Sequence, residues 1–255
     1  MLVIRHLQVS IDGRPVLADL DLAIRAGKVH AVMGARGSGK STLARVLAGH
    51  PGYAVNAGEV LYRGASLLEL APEERAAQGI FLALQQPVEL PGVANLYFLR
   101  AALNALRRQR GQPELDAIDC LVAIRSKLKL LGMDESLLYR PLNADFSDGD
   151  RKRNEILQML LFEPALALLD DSAAGLDGDA LKAVADGINA LRSPQRAIVL
   201  FAHDFRLLHT VAPDRVHLLA DGRIVRSGGR ELAGELEGSG YEPAGELPEA
   251  LQVRP

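Results

Sequence analysis

The sequence predicts an α/β fold with a parallel sheet, an antiparallel β subdomain and an inserted helical subdomain. Apolar, strand-like segments alternate with helical segments from residue 150 to residue 201, as in parallel sheets that helices cover on both faces. Residues 2–24 instead contain two segments of alternating apolar and polar character joined by a turn, which is typical of antiparallel strands. Residues 92–143 carry long helical patterns that interrupt the strands.

The first third of the chain predicts strands and two short helices. A turn at residues 12–15 separates the two N-terminal strands, and Pro72 marks the start of a helix. We expect the strands to form a mixed sheet that flanks a glycine-rich loop at residues 34–42. The expected strands are residues 2–10, 16–24, 29–33, 58–62 and 80–84, and the expected helices are residues 43–48 and 73–78.

The rest of the chain continues with helices and then returns to alternation. A Gly-Gln-Pro break at residues 111–113 divides the helical stretch, and an Asp-Gly pair at residues 221–222 signals a hairpin. The expected helices are residues 96–110, 115–131, 150–161 and 179–191, and the expected strands are residues 165–169, 197–201, 215–220 and 223–227. We therefore predict a single domain over residues 1–240, with a helical subdomain at about residues 92–145. A short helix and then a tail at residues 241–255, either mobile or in contact with a partner, complete the prediction.

The composition excludes several classes of protein. The chain has 255 residues, 48% of them hydrophobic and 24% charged, which is enough for a large core and argues against disorder. A net charge of −3 gives no reason to expect a nucleic-acid partner. No apolar run could span a bilayer and no signal-peptide core is present, so we expect a cytoplasmic protein without direct membrane insertion. The single cysteine, Cys120, cannot form an internal disulfide, and we expect it to be a small apolar helix residue.

The glycine-rich loop has the spacing G-x-x-x-x-G-K-[ST] of a phosphate-binding loop between a strand and a helix. Its backbone N–H groups can surround phosphates, Lys40 adds a point charge, and the Ser41 hydroxyl can ligate Mg²⁺. A purely structural turn is the competing interpretation, but it would rarely combine these residues in this order. The predicted phosphate-binding residues are Gly34, Ala35, Arg36, Gly37, Ser38, Gly39, Lys40, Ser41 and Thr42.

Two carboxylates, Asp170 and Asp171, end an apolar strand. A buried strand can deliver such acids to the edge of a parallel sheet, where Asp170 would associate with Mg²⁺. Asp171 would then lie beside the attacking water, able to orient it or accept its proton. Two acids after a strand are more often a helix cap or an exposed turn. The phosphate loop upstream reverses that preference.

Further motifs give the sequence a family resemblance. After the phosphate loop come, in order, a glutamine, a Ser-x-Gly segment, the paired acids, a Gly-Leu-Asp segment and a lone histidine. This order resembles that of the ABC-type ATPases, and it implies an ABC-type ATPase domain built on a P-loop NTPase core. The positions that match, besides the loop and the two acids, are Gln85, Ser147, Asp148, Gly149, Asp150, Gly175, Leu176, Asp177 and His203.

Within these ATPases the chain most resembles the SufC family, the soluble ATPases of the SUF iron–sulfur cluster assembly system. The likeness extends over residues 1–240, including stretches that transporter ATPases generally lack. It implies ATP and Mg²⁺ as cofactors and SufB-like and SufD-like scaffold proteins as partners, contacted through residues 86–93 and the helical subdomain. The stretches that carry it are residues 29–34, 87–93, 152–159 and 179–182.

The resemblance also implies a role for each matching residue. ABC-type ATPases close as transient, ATP-dependent head-to-tail homodimers, in which Ser147 to Asp150 of one subunit would reach the γ-phosphate held by its partner. Gln85 would sense the metal and the water, Asp177 would help to join the two sites, and His203 would contact the γ-phosphate. Gln86 is an alternative to Gln85, and a lone histidine after a strand is ordinarily a surface or capping group. No aromatic residue suited to stack on adenine lies between residues 11 and 20.

Four positions depart from the family pattern. Asp171 replaces the usual Glu and is shorter by one methylene group. We expect this to move the attacking water by about 1 Å and to lower the rate of ATP hydrolysis on the order of a hundredfold. Asp148 replaces the usual Gly, close to where the γ-phosphate held by the partner subunit would lie. Two unit charges about 5 Å apart repel by roughly 3 kcal/mol, so we expect this carboxylate to weaken ATP-driven closure of the dimer. Asp150 is shorter than the usual Glu or Gln. Arg36 adds a charge that either offsets Asp148 or is an exposed loop residue without a partner. The resemblance also implies a salt bridge between Lys152 and Asp171 in the resting subunit, although Asp171 has a shorter side chain than the usual Glu with which to reach Lys152.

Three functions are consistent with these residues. The first is a SufC-like ATPase that reshapes SufB-like and SufD-like scaffolds during cluster assembly. The second is the ATPase subunit of a membrane transporter, which would be recovered with a permease in the membrane fraction. The third is a nucleotide-binding subunit with little or no hydrolysis, which Asp148 and Asp171 motivate.

Overall fold

The structure, a computed structural model, describes residues 1–241. Residues 242–255, nearly all of the predicted tail, lie outside the described residues. In chain order the elements are β1 (Leu2–Ile11), β2 (Arg14–Ile24), β3 (Val29–Met33), α1 (Lys40–Ala48), β4 (Ala54–Tyr62), β5 (Ala65–Ser66), α2 (Pro72–Ala77), β6 (Ile80–Ala83), β7 (Leu90–Ala94), α3 (Asn95–Gln109), α4 (Ala117–Leu131), β8 (Pro141–Leu142), α5 (Asp148–Phe162), β9 (Leu166–Asp170), α6 (Gly178–Leu191), β10 (Ala197–Ala202), α7 (Arg206–Val211), β11 (Arg215–Ala220), β12 (Arg223–Gly228) and α8 (Glu231–Ser239).

A six-stranded sheet forms the centre, with the strand order β12-β11-β3-β10-β9-β6. The inner pairs β11–β3, β3–β10, β10–β9 and β9–β6 are parallel, and β12 is antiparallel to β11. Every residue of β3, β9 and β10 is buried, because helices or the second sheet cover both faces. The predicted α/β class is therefore confirmed. The parallel strands deliver the ends of β3, β9 and β10 to one edge of the sheet.

A separate antiparallel sheet has the order β2-β1-β4-β5. The predicted antiparallel β subdomain is therefore confirmed. The expectation that β3 and β6 share one mixed sheet with its strands is wrong, because both belong to the central sheet. The physical reason is visible in the burial of β1 and β2, where exposed side chains recur between buried ones. Strands with one polar face cannot enter a sheet that is covered on both sides.

The helical insertion lies between β7 and β8, two short antiparallel strands that close its base. Its helices α3 and α4 begin and end within two residues of the predicted bounds, and Cys120 is buried in α4 as expected. Three buried amides connect the insertion to α5: Asn95 donates to Asn154 at 2.9 Å, and Asn154 donates to Asn143 at 2.9 Å. These amides hold the insertion against the helix that carries the Ser147 segment.

Two short features near the C-terminus were not predicted. Helix α7 has only six residues, too few for a helical period to stand out. Tyr241, placed in the tail by the sequence, stacks on Phe205 with ring centroids 5.8 Å apart. Across the described part of the chain, no helix combines the length and the apolar character needed to cross a membrane.

Candidate functional site

The glycine-rich loop joins the end of β3 to α1, in a backbone conformation that its glycines permit. Gly37 and Gly39 have φ values of 84° and 107°, in the left-handed region that side chains disfavour. A Cβ atom at Gly34 would lie 2.2 Å from the carbonyl oxygen of Leu219. The loop therefore brings its backbone close to β11 and presents the N-terminus of α1, whose unpaired N–H groups attract anions.

Lys40 is folded back onto this loop. Its Nζ donates to the carbonyl oxygens of Gly34 and Ala35, each at 2.7 Å, and to Oγ of Ser38 at 3.3 Å. Burial lowers the pKa of Lys40, and the neighbouring carboxylates Asp171 and Asp170 oppose that shift. The ammonium is thus held at the base of the loop by polar atoms that an anion could replace.

A cavity of about 270 Å³ opens above Lys40. It collects residues from the phosphate loop, the strand ends and the segment after β6, although these are far apart in sequence. Its lining residues are Val16, Arg36, Gly37, Gly39, Lys40, Ser41, Thr42, Gln85, Asp170, Asp171 and His203. Val16 is the one lining residue that sequence reasoning did not single out; only its position on β2 beside the loop, known after folding, identifies it.

Asp170 ends β9 and is only 1% exposed. Its Oδ1 accepts a hydrogen bond from the Ser41 hydroxyl at 2.9 Å. Burial raises its pKa above the usual range for a carboxyl group. Its Oδ2 atom is buried and has no hydrogen-bond partner among residues 1–241. A buried carboxylate oxygen without a partner, beside a serine hydroxyl, is a donor set that suits a hard cation such as Mg²⁺.

Asp171 follows in the left-handed backbone conformation, with φ of 49°, and both of its side-chain oxygens are engaged. Nε2 of Gln85 donates to Oδ2 at 3.2 Å, and Nδ1 of His203 lies 3.0 Å from Oδ1. Gln86 instead lines a neighbouring cavity. The structure therefore groups Gln85, Asp171 and His203 at the cavity above Lys40.

Lys152 does not contact Asp171, so the expected resting salt bridge is wrong in this structure. Its Nζ donates to the carbonyl oxygen of Leu84 and to Oε2 of Glu155, the latter at 3.1 Å. Glu155 also accepts from the backbone N–H of Leu84 at 2.9 Å, and burial raises its pKa. Glu155 lies one turn along α5 from Lys152, so it competes with the shorter Asp171 at less cost. The spacing of three residues between Lys152 and Glu155 on a predicted helix was the signal for this ion pair, and sequence reasoning missed it.

The Ser147 segment lies apart from the cavity above Lys40. Ser147 caps α5: its Oγ accepts from the backbone N–H of Asp150 at 3.1 Å and donates to that residue's carboxylate at 2.7 Å. Asp148 lines a second cavity of about 490 Å³, which shares Gln85 with the first. Asp177 caps α6 by accepting from the N–H of Ala180 at 2.8 Å. Ser147, Asp148, Gly149, Asp150 and Asp177 are therefore not brought to the Lys40 cavity within one chain.

Comparisons with known proteins agree with this geometry. A family model described as "ABC transporter" matches residues 17–174. The protein of Escherichia coli (strain K12) named "Probable ATP-dependent transporter SufC" is 50% identical, over 94% of this chain and 97% of its own length. The protein of Synechocystis sp. named "Probable ATP-dependent transporter slr0075" is also 50% identical, over 95% of this chain and 94% of its own length.

Solved structures show the same fold. A dimeric post-hydrolysis structure of the ATP-binding cassette MJ0796 with ADP and Pi has a TM-score of 0.78 and 20% identity. The alignment covers 90% of this chain and 99% of that chain. The family model and the 50% identical relatives, together with a phosphate loop that opens onto paired acids, identify the family. The chain belongs to the SufC group of ABC-type ATPases, which bind nucleotide and hydrolyse ATP.

Proposed function

We propose that this ATPase drives iron–sulfur cluster assembly by binding SufB-like and SufD-like scaffold proteins and reshaping them with the energy of ATP. What supports this most is the 50% identity to E. coli SufC over almost the whole of both chains. The cluster would be carried by the scaffold, since this chain has a single cysteine, which is buried.

A surface suited to such a partner lies on the helical insertion. A groove of about 660 Å³ runs between α3, α4 and the residues before β8, and large apolar side chains line it. Ile118 is 73% exposed, Tyr97 63%, Val122 60% and Tyr139 60%. Contiguous exposed aromatic and aliphatic side chains mark protein-binding sites. Strand β7, which carries exposed Leu90, leads directly into α3 and extends this surface towards Gln86.

The test is co-purification of the chain with a SufB-like and SufD-like pair. The wild-type protein is expected to form a stoichiometric complex without membranes, and Ile118→Asp is expected to lose most of it. Val225→Asp is the matched control, because Val225 is 38% exposed on β12, outside the groove. Failure of the wild-type protein to bind would reject the proposed partners. Binding that survives Ile118→Asp and Tyr97→Asp together would reject the proposed surface.

ATP would lie with its phosphates over the loop and Lys40, and its base near Val16. Asp170 and Ser41 would hold Mg²⁺, with Gln85 nearby, since the unpartnered Oδ2 of Asp170 fits that ion. When bound, the ion supplies positive charge to the phosphate oxygens. Asp171, held by Gln85 and His203, would orient the attacking water and accept its proton.

A second copy of the chain would complete the site. Within one chain Asp148 and its neighbours line a different cavity from Lys40, so in a head-to-tail dimer they would face the partner's nucleotide. The dimeric state of the MJ0796 cassette supports this arrangement. Sedimentation velocity of an Asp171→Asn variant should reveal a dimer with ATP and Mg²⁺ and a monomer with ADP. A monomer under both conditions would exclude the dimer.

Both relatives are named as ATP-dependent transporters, which favours one alternative, an ATPase subunit of a membrane transporter. The same exposed groove would then bind a permease. Fractionation separates the two proposals, because the alternative places the protein with a permease in the membrane fraction, whereas the scaffold proposal places it in a complex recovered without detergent.

A further inference from the structure

Arg36 lies at the mouth of the Lys40 cavity and begins a chain of polar contacts. Its Nη2 lies 3.3 Å from Nε2 of His203, whose Nδ1 lies 3.0 Å from Oδ1 of Asp171. Nε2 of Gln85 donates to the other oxygen of Asp171 at 3.2 Å. We refer to Arg36, His203, Asp171 and Gln85 as the Arg36 chain. It connects the phosphate loop to the acid that would activate water.

The contact with Arg36 decides which nitrogen of His203 carries the proton. A guanidinium group only donates hydrogen bonds, so Nε2 of His203 must accept this one. The proton of the neutral ring is then on Nδ1, which donates to Asp171. His203 therefore presents a lone pair, and no N–H, towards Arg36. The N–H groups at the mouth of the cavity belong to Arg36.

The bond from Arg36 to His203 is easily replaced. It is long at 3.3 Å, the acceptor is an uncharged ring and Arg36 is exposed. Hydrogen bonds between a guanidinium and a phosphate are charge-assisted, shorter and roughly twice as strong, and they form in pairs. Lys40, by contrast, is buried and bonded to the loop carbonyls. Of the two cations among residues 1–241 that line this cavity, Arg36 is therefore the one whose side chain can move and whose N–H groups can turn to a ligand.

We propose that Arg36 makes this ATPase distinguish ATP from ADP, by donating to His203 when no terminal phosphate is present and to the terminal phosphate when ATP binds. The proposal rests on the placement of the phosphates over the Lys40 loop. The carboxylates of Asp170 and Asp171 repel the negative charge of a third phosphate. The positive charge of Arg36 offsets this repulsion. Movement of Arg36 frees Nε2 of His203 while Nδ1 of the same ring still donates to Asp171, so binding of the terminal phosphate changes the hydrogen bonding of the ring that holds the catalytic acid.

Nucleotide binding to the isolated protein tests the proposal. Affinities for the β,γ-imido analogue of ATP and for ADP, both with Mg²⁺, are compared between wild type and Arg36→Gln. We expect Arg36→Gln to bind the ATP analogue roughly tenfold more weakly and to keep its affinity for ADP. Arg230→Gln is the matched control, because Arg230 is exposed in the turn before α8 and does not line the cavity. Equal losses for both nucleotides, or no loss for either, would overturn the proposal.

Two further measurements separate this proposal from its premise and from a structural role. Lys40→Gln should weaken both nucleotides, and unchanged affinities would refute the placement of the phosphates over the loop. In ¹⁵N spectra of the imidazole nitrogens, assigned with His203→Asn, the Nε2 signal of His203 should shift when Arg36 is replaced. The ATP analogue should shift the wild-type signal in the same direction, and ADP should not. An Nε2 signal that is the same in wild type and Arg36→Gln contradicts the proposal, whether or not scaffolds bind.

Discussion

Acidification should destabilise this fold through two buried histidines that do not line the Lys40 cavity. His30 on β3 and His217 on β11 are 2% and 6% exposed, and their rings meet edge to edge, with planes 4° apart and centroids 5.3 Å apart. Nδ1 of His30 lies 2.9 Å from Nε2 of His217, and Nδ1 of His217 lies 2.8 Å from Oγ of Ser227. The backbone N–H of Arg25 donates to the remaining nitrogen of His30 at 3.2 Å. Every ring nitrogen is therefore used, and an added proton would find no acceptor.

Burial lowers the pKa of both histidines from 6.5 to about 4. As the pH falls from 6.5 towards 4, these two histidines become protonated in the unfolded chain and stay neutral in the folded chain. The free energy of unfolding is therefore unaffected by this pair above pH 6.5 and decreases below it. At about pH 5 the loss is roughly 2 kcal/mol for each histidine.

Urea unfolding of wild type and His217→Gln at about pH 7 and about pH 5 measures this loss. The variant has one buried histidine fewer, so its free energy of unfolding should fall by roughly 2 kcal/mol less than that of wild type over that interval. His50→Gln, which replaces an exposed histidine, is the control and should behave as wild type. If wild type and His217→Gln lose the same free energy, the buried pair is not the cause.

Three further changes have defined outcomes. Asp171→Glu restores the longer acid and should raise turnover on the order of a hundredfold in a phosphate-release assay, whereas unchanged turnover would show that reach is not limiting. Asp148→Gly removes a negative charge and should strengthen ATP-dependent dimerisation roughly tenfold or more by sedimentation; equal dimerisation would place Asp148 away from the partner's phosphate. Gly187→Ala would put a Cβ atom 2.3 Å from Cγ2 of Ile156 and should lower the free energy of unfolding by about 1–3 kcal/mol in urea. A variant as stable as wild type would mean that the Ile156 side chain can move away from α6 without cost.

The elements that sequence reasoning located well are those with a local cause. Strand β3 is an unbroken apolar run that ends at glycine, and its predicted bounds match the structure. The glycine-rich loop is likewise a contiguous motif, and the structure places it between β3 and α1, as predicted. An antiparallel subdomain was predicted, but the strands that share it with β1 and β2 were not, because alternation shows that one face is polar and does not name the partner strand.

Contacts between distant residues set the remaining limit. Arg36 and His203 are 167 residues apart, and no spacing rule connects a loop arginine with a histidine after β10. Lys152 was assigned the wrong acid because family resemblance named Asp171, while the nearer Glu155 competed for the same ammonium. In both cases the outcome depends on which of several polar groups the fold brings within hydrogen-bond distance.

The three amides between the insertion and α5 restrict how this sequence can change. Asn154 donates to Asn143 and exchanges hydrogen bonds with Asn95, while Asn143 donates to the carbonyl oxygen of Val88 at 2.7 Å. Replacing any one of them by Asp or Leu leaves a buried partner unsatisfied, at about 1–3 kcal/mol. Mutational drift at one amide therefore requires compensating changes at the others, and variants that exchange the whole insertion between relatives must carry Asn95 and Asn143 together.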